Sequence, residues 1–125
     1  MLMIFQLSTR TIQPDVMAIE LAGRMASGNL LMKAEEDIKR LLATEPSKVI
    51  FDLTRLEYID SAAIGVLVMA VGLISKRYGG QVRLAGANER VSRILQITHL
   101  DRVLSMHNNM ENACASFERA AAESA

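Results

Sequence analysis

The chain has 125 residues, half of them apolar, with 14 basic and 14 acidic side chains and a formal net charge of zero. That length suits a single domain, residues 1–125, with a real core, and is too short for two. A neutral balance, no Lys/Arg run longer than two and no Trp argue against a nucleic-acid footprint or a base-stacking platform.

Cys114 is the single cysteine, so no internal disulfide can form and a reducing, cytoplasmic setting is the simplest expectation. Neither it nor His99 and His107 has metal-ligand spacing, and no metal or cofactor is expected. The amino terminus lacks a basic stretch and a cleavage site, so it does not read as a signal peptide. The longest apolar run, residues 62–74, is shorter than the roughly 20 residues of a spanning helix, and no membrane span is expected.

In chain order, residues 4–7 read as a first strand and residues 11–15, with Pro14, as the turn after it. Residues 16–21 alternate, with Met17, Ile19 and Leu21 on one side, which predicts a half-buried strand antiparallel to the first and ended by Gly23. A loop at 25–29 follows, in which Ser27 or Asn29 can cap an amphipathic helix carrying Leu31, Ala34, Ile38, Leu41 and Leu42 inward; Pro46 stops it. Residues 49–53 are apolar except for Asp52, the pattern of an inner strand covered on both faces, with Asp52 a structural hydrogen-bonding carboxylate.

After a polar elbow, a helix is predicted over 61–78, closed by Gly79-Gly80, and a strand over 81–85 completes a parallel βαβ crossover. Asn88 caps a short helix with Val91, Ile94 and Leu95 inward. Residues 102–104 read as a final short strand. A last helix from about Asn109 carries Ala113, Cys114 and Phe117 on one face, with its Ala-rich end past Ala120 expected to fray. The expected order is β-β-α-β-α-β-α-(β)-α, an α/β fold with four helices on a mixed, mostly parallel sheet of four to five strands.

The run Ile59-Asp60-Ser61-Ala62-Ala63-Ile64-Gly65 resembles the D-S-S-G-L-G signature of the STAS domain, a family named for sulphate transporters and anti-sigma factor antagonists. The stretch VIFDLTRLEYID before it, VMAIELAG at 16–23 and the segment from Arg93 to Asp101 are similar to the family's pattern as well, so the resemblance covers nearly the whole chain. It implies a STAS-like fold. Within the antagonists of this family, the serine after the Asp accepts a phosphate from a kinase-type anti-sigma factor, and the matching residue is Ser61.

The resemblance therefore implies a non-enzymatic, bacterial signalling protein of the cytoplasm. It would bind an anti-sigma factor/serine kinase to release a sigma factor, and phosphorylation of Ser61 would end that binding. Asp60 would cap the helix, and Asp60, Ala62, Ala63 and Ile64 would meet the partner. The chain departs from the pattern at Ala62 for the second Ser, Ala63 for Gly and Ile64 for Leu; Ala63 would bring a methyl group to where a partner's backbone approaches. His99 stands where many relatives have Gly.

The 61–78 helix is apolar nearly all round. Ile64, Leu67, Val68, Val71, Ile74 and Tyr78 read as the core face. Val66, Met69, Ala70 and Leu73 read as the opposite side, either covered by a neighbouring helix or left as an apolar surface for a partner or a homodimer. Two rival functions compete with the antagonist. An enzyme with Ser61 as nucleophile lacks the flanking glycines of G-x-S-x-G and an evident orienting His. A non-switching scaffold or subunit of a signalling or lipid-transport complex would fit Ala62 and Ala63.

Overall fold

The computed structural model describes residues 4–43, 47–77 and 79–124, with side-chain environments as far as Arg119. Its five strands form one sheet in the order β1-β2-β3-β4-β5. Strand β1 (Gln6–Gln13) is antiparallel to β2 (Val16–Met25), and β2, β3 (Lys48–Ile59), β4 (Gln81–Ala85) and β5 (Ser105–His107) run parallel. The helices are α1 (Asn29–Leu42), α2 (Ser61–Ser75), α3 (Glu89–Ile97) and α4 (Met110–Ser124), with one turn of 3₁₀ helix at Leu100–Arg102. This is the expected element order, fold class and helix number.

The core has two layers because β3 is apolar on both faces. Phe51, Val49 and Leu53 point with Ile19, Leu21 and Leu84 into the larger cluster, which takes in α1, α2 and α3. Ile50 points the other way, with Val16 and Ala85, onto Ala113 and Phe117 of α4. Asp52 is the one charged side chain buried among the described residues. Its Oδ1 accepts from the Thr54 amide at 3.0 Å and the Thr54 hydroxyl at 2.6 Å, and Arg10 lies at 3.9 Å. The carboxylate is thus hydrogen-bonded as a buried charge must be, which is the structural role expected of it.

Several boundaries differ from the sequence reading. The first strand lies at Gln6–Gln13 rather than 4–7, and the turn is confined to Pro14-Asp15. Gly23 does not end β2: the strand passes through it with φ 86° at a register shift and continues to Met25. Helix α1 has Gly28 at its N-cap without a side-chain cap, so neither Ser27 nor Asn29 serves there, and Leu41 is half-buried beside the buried Leu31, Ala34, Ile38 and Leu42. Pro46 and Tyr78 lie outside the described residues.

Strand β3 runs through the supposed elbow to Ile59, because residues 54–59 keep pairing with the end of β2. The segment 102–104 is not a strand; the chain makes its 3₁₀ turn there and pairs with β4 only at 105–107. The last helix spans Met110–Ser124.

The phase of α2 is the main correction. Its buried residues are Ala63, Val66, Leu67, Ala70 and Ile74, a stripe at three- and four-residue spacing. Val66 and Ala70, expected on the outer side, face the core, whereas Val68, expected in the core, is 45% exposed. Ile64, Met69, Val71 and Leu73 are half-buried. The reason is that α2 is covered from two directions, by strands β3 and β4 beneath it and by α1 alongside. Met69 and Leu73 accordingly line a cleft with Lys39, Leu42 and Ala43 of the α1 end.

Two backbone positions make the fold testable. Gly86 has φ 76°, and a Cβ there would run into the Thr54 hydroxyl that Asp52 holds. Gly86→Ala is expected to lose about 1–3 kcal/mol in urea unfolding. His99 adopts φ 60°, a left-handed conformation that a side chain disfavours. His99→Gly is expected to gain up to about 1 kcal/mol, less than the full relief because glycine also loosens the unfolded chain.

Candidate functional site

The site is the junction where β3 ends and α2 begins. The Asp60 amide donates to the Met25 carbonyl at 3.2 Å, which carries the β2–β3 pairing up to the helix. Asp60 is extended and is the N-cap of α2. One carboxylate oxygen accepts from the Ala63 amide at 2.9 Å, and the other accepts from the Ser27 amide at 2.8 Å. A single side chain therefore satisfies an orphan N–H of α2 and also ties down the loop between β2 and α1. The expected cap is present. The tie to Ser27 has no signal in the sequence, since a backbone donor 33 residues away leaves no local pattern.

This geometry governs the acid. Burial pushes the Asp60 carboxyl upward, but the amides of Ser27 and Ala63, the Ser27 hydroxyl and the Ala62 amide together outweigh it, and its pKa lies below the ordinary value. The anion is the form the site is built around.

Ser61 is the first residue of α2 and is exposed. Its hydroxyl is not committed to any hydrogen bond within the described residues. Each oxygen of the neighbouring carboxylate accepts from a backbone amide. Ala62 is exposed and Ile64 is half-buried, so both can be reached from outside. Ala63 cannot. It is fully buried, its methyl group pointing into the core as part of the inward stripe of α2, so it makes no contact surface and does not block a partner's approach.

The outward stripe of α2 is Ser61, Ala62, Gly65, Val68 and Gly72, all exposed. Of the two alternatives for Val66, Met69, Ala70 and Leu73, cover by a neighbouring helix is the one seen, with α1 alongside. The other singled-out residues lie elsewhere. Asp52 belongs to the sheet interior, His107 to β5 at the far edge, and Cys114 to α4, where burial raises its thiol pKa. Among the described residues no group of three His, Cys, Asp or Glu side chains is placed to hold a metal ion, and no helix is long and apolar enough to cross a membrane.

Strand, capped loop and exposed serine, set on a mixed five-stranded sheet, define a class of α/β domain. The chain matches the STAS domain over residues 9–113 and belongs to that family. It is 37% identical over 67 residues to a Thermotoga neapolitana protein whose name marks it as a candidate anti-sigma factor antagonist, a match covering 54% of this chain and 58% of that one. A Paenibacillus polymyxa anti-sigma F factor antagonist is 26% identical over 106 residues, covering 82% and 87% of the two chains. The fold is that of an anti-sigma factor antagonist from Mycobacterium paratuberculosis, with a TM-score of 0.77 at 15% identity over 92% of this chain and 95% of that one.

The cap yields a prediction with a sign. A carboxylate whose folded pKa is depressed contributes stability that is present above its unfolded value, about pH 3.9, and lost as pH falls through the folded value. At neutral pH, Asp60→Ala is expected to lower stability by about 1–2 kcal/mol. In urea unfolding measured across pH, the gap between wild type and variant should close below roughly pH 4.

Proposed function

We propose that this protein is an anti-sigma factor antagonist, a non-catalytic binding switch that docks on a kinase-type anti-sigma factor in the cytoplasm and thereby frees a sigma factor. The observation that carries the reading is Ser61: an exposed hydroxyl at the first position of α2, beside a carboxylate that is fully engaged with backbone amides. The names of its relatives in Thermotoga and Paenibacillus support the same class. Ser61, Ala62 and the outward stripe through Gly65 and Val68 form the docking surface.

Phosphorylation of Ser61 would add about −1.5 to −2 charge. The N-terminus of α2 favours that charge by roughly 0.3–1 kcal/mol, and the Asp60 anion opposes it by a comparable screened amount. Within the protein the two effects nearly cancel, so the fold stays as it is. At an interface they do not: an unpaired buried dianion costs several kcal/mol, and each 1.4 kcal/mol is about tenfold in affinity. Charge at Ser61 ends binding without a conformational change.

Incubation with the cognate anti-sigma kinase and ATP, followed by peptide mass mapping, is expected to place one phosphate on Ser61. Ser61→Asp should bind that kinase at least about a hundredfold more weakly than Ser61→Ala, given the interfacial penalty. An unmodified Ser61 together with equal affinities for the two variants would overturn the switch and leave a scaffold role.

A further inference from the structure

Strands β2 and β3 stay paired as far as Met25 and Ile59, well past the last match of β3 with β4 at Asp52 and Ala85. Helix α3 packs against this projecting ribbon. Between them lies an open groove of about 800 Å³, walled by Arg24, Glu57, Arg90, Arg93, Ile94 and Ile97. The groove is held in shape from both sides. The Asn88 side chain donates to the Leu56 carbonyl at 3.0 Å and accepts from the Val91 amide at 2.8 Å, pinning the start of α3 to β3. The Arg24 guanidinium lies 4.4 Å above the Tyr58 ring, which fixes its direction.

The charges in this groove are only partly matched among the described residues. Arg93 pairs with Glu89 at 3.4 Å, an exposed pair of small worth. Arg24 and Arg90 make no ion pair with a carboxylate among the described residues. Beside them Ile97 is 69% exposed, although it sits on a helix whose Val91 and Leu95 are fully buried. Guanidinium groups next to a bare isoleucine suit carboxylates that flank an apolar side chain. A polyphosphate fits less well, since Glu57 and Glu89 stand in the same walls and the chain as a whole is neutral.

We propose that this groove is a second docking site, which takes an acidic segment of the anti-sigma partner with a large apolar residue seated on Ile94 and Ile97. The inference rests on the antagonist reading and extends it. Tyr58 is two residues before Asp60 and Arg24 three before Ser27, so one partner contacting the Ser61 loop meets the groove next. Phosphate at Ser61 then controls whether the partner stays, while the arginines govern how fast it arrives and how salt affects it. A pinned helix and a stacked guanidinium also reduce the ordering lost on binding.

The test is calorimetric titration of the purified cognate anti-sigma factor with Arg90→Glu/Arg93→Glu, with Ile97→Ser, and with Arg119→Glu on α4 as a charge reversal remote from the groove. Urea unfolding confirms that each variant is folded. The double reversal is expected to weaken binding by at least about tenfold near 0.05 M salt, with the gap narrowing near 1 M as screening removes it. Ile97→Ser should weaken binding at both salt levels, and Arg119→Glu should match wild type.

Wild-type affinity in both groove variants, with Ser61→Asp still defective, would overturn the groove and leave the antagonist reading standing. Equal losses in Arg119→Glu and the double reversal would reduce the effect to overall charge and overturn it too. Capture of a single-stranded oligonucleotide, lost in the double reversal, would overturn the choice of a protein segment. No binding by the wild-type protein would remove the antagonist reading and the groove together.

Discussion

The covering of β3 on both faces is the constraint from which the rest follows. Val49, Ile50, Phe51 and Leu53 are each fully buried, alternately toward the α1–α2–α3 layer and toward α4. Burying a side chain of that size is worth about 1.5–3 kcal/mol, and two helical layers are needed to do it on both sides. A strand held this way has no freedom to slide, since a one-residue slip would exchange the two core faces. Its last residue therefore arrives at one place, and Asp60 and Ser61 are delivered there with it.

Asp60 converts that position into a rigid junction. Its carboxylate reaches back to Ser27 and forward to Ala63, so the loop before α1 and the first turn of α2 share one anchor. Ser61 is left exposed beside them, next to an acid whose oxygens both accept from amides.

The elements of the sheet and helices were legible because each carries its own periodicity. The β-branched run at 49–53, the alternation at 16–21, the stripe of α1 and the Asp60 and Asn88 caps are all local signals. The D-S motif gave the family for the same reason. Less legible was whatever depends on a distant partner. Residues 54–59 look like a polar elbow, yet the end of β2 holds them as strand. Gly23 looks like a terminator, yet the bulge beside it lets β2 continue. The final strand is displaced because β4, and not the local sequence, selects residues 105–107.

Helix α2 shows the division most sharply. By itself the sequence determined that a helix begins at Ser61, that Asp60 caps it and that Ser61 stands at its mouth, because capping chemistry and helix propensity act within a few residues; its end, expected at 78, comes at Ser75. It did not determine which side of the helix faces in. Apolar residues all round leave no contrast from which to take a phase. Only the packing decided that Ala63, Val66 and Ala70 turn inward while Val68 faces out, since α1 and the β3–β4 surface approach from two directions. The anchor from Asp60 to Ser27 was likewise a tertiary outcome: hydrogen bonds between segments 33 residues apart exist only once the sheet has brought their ends together.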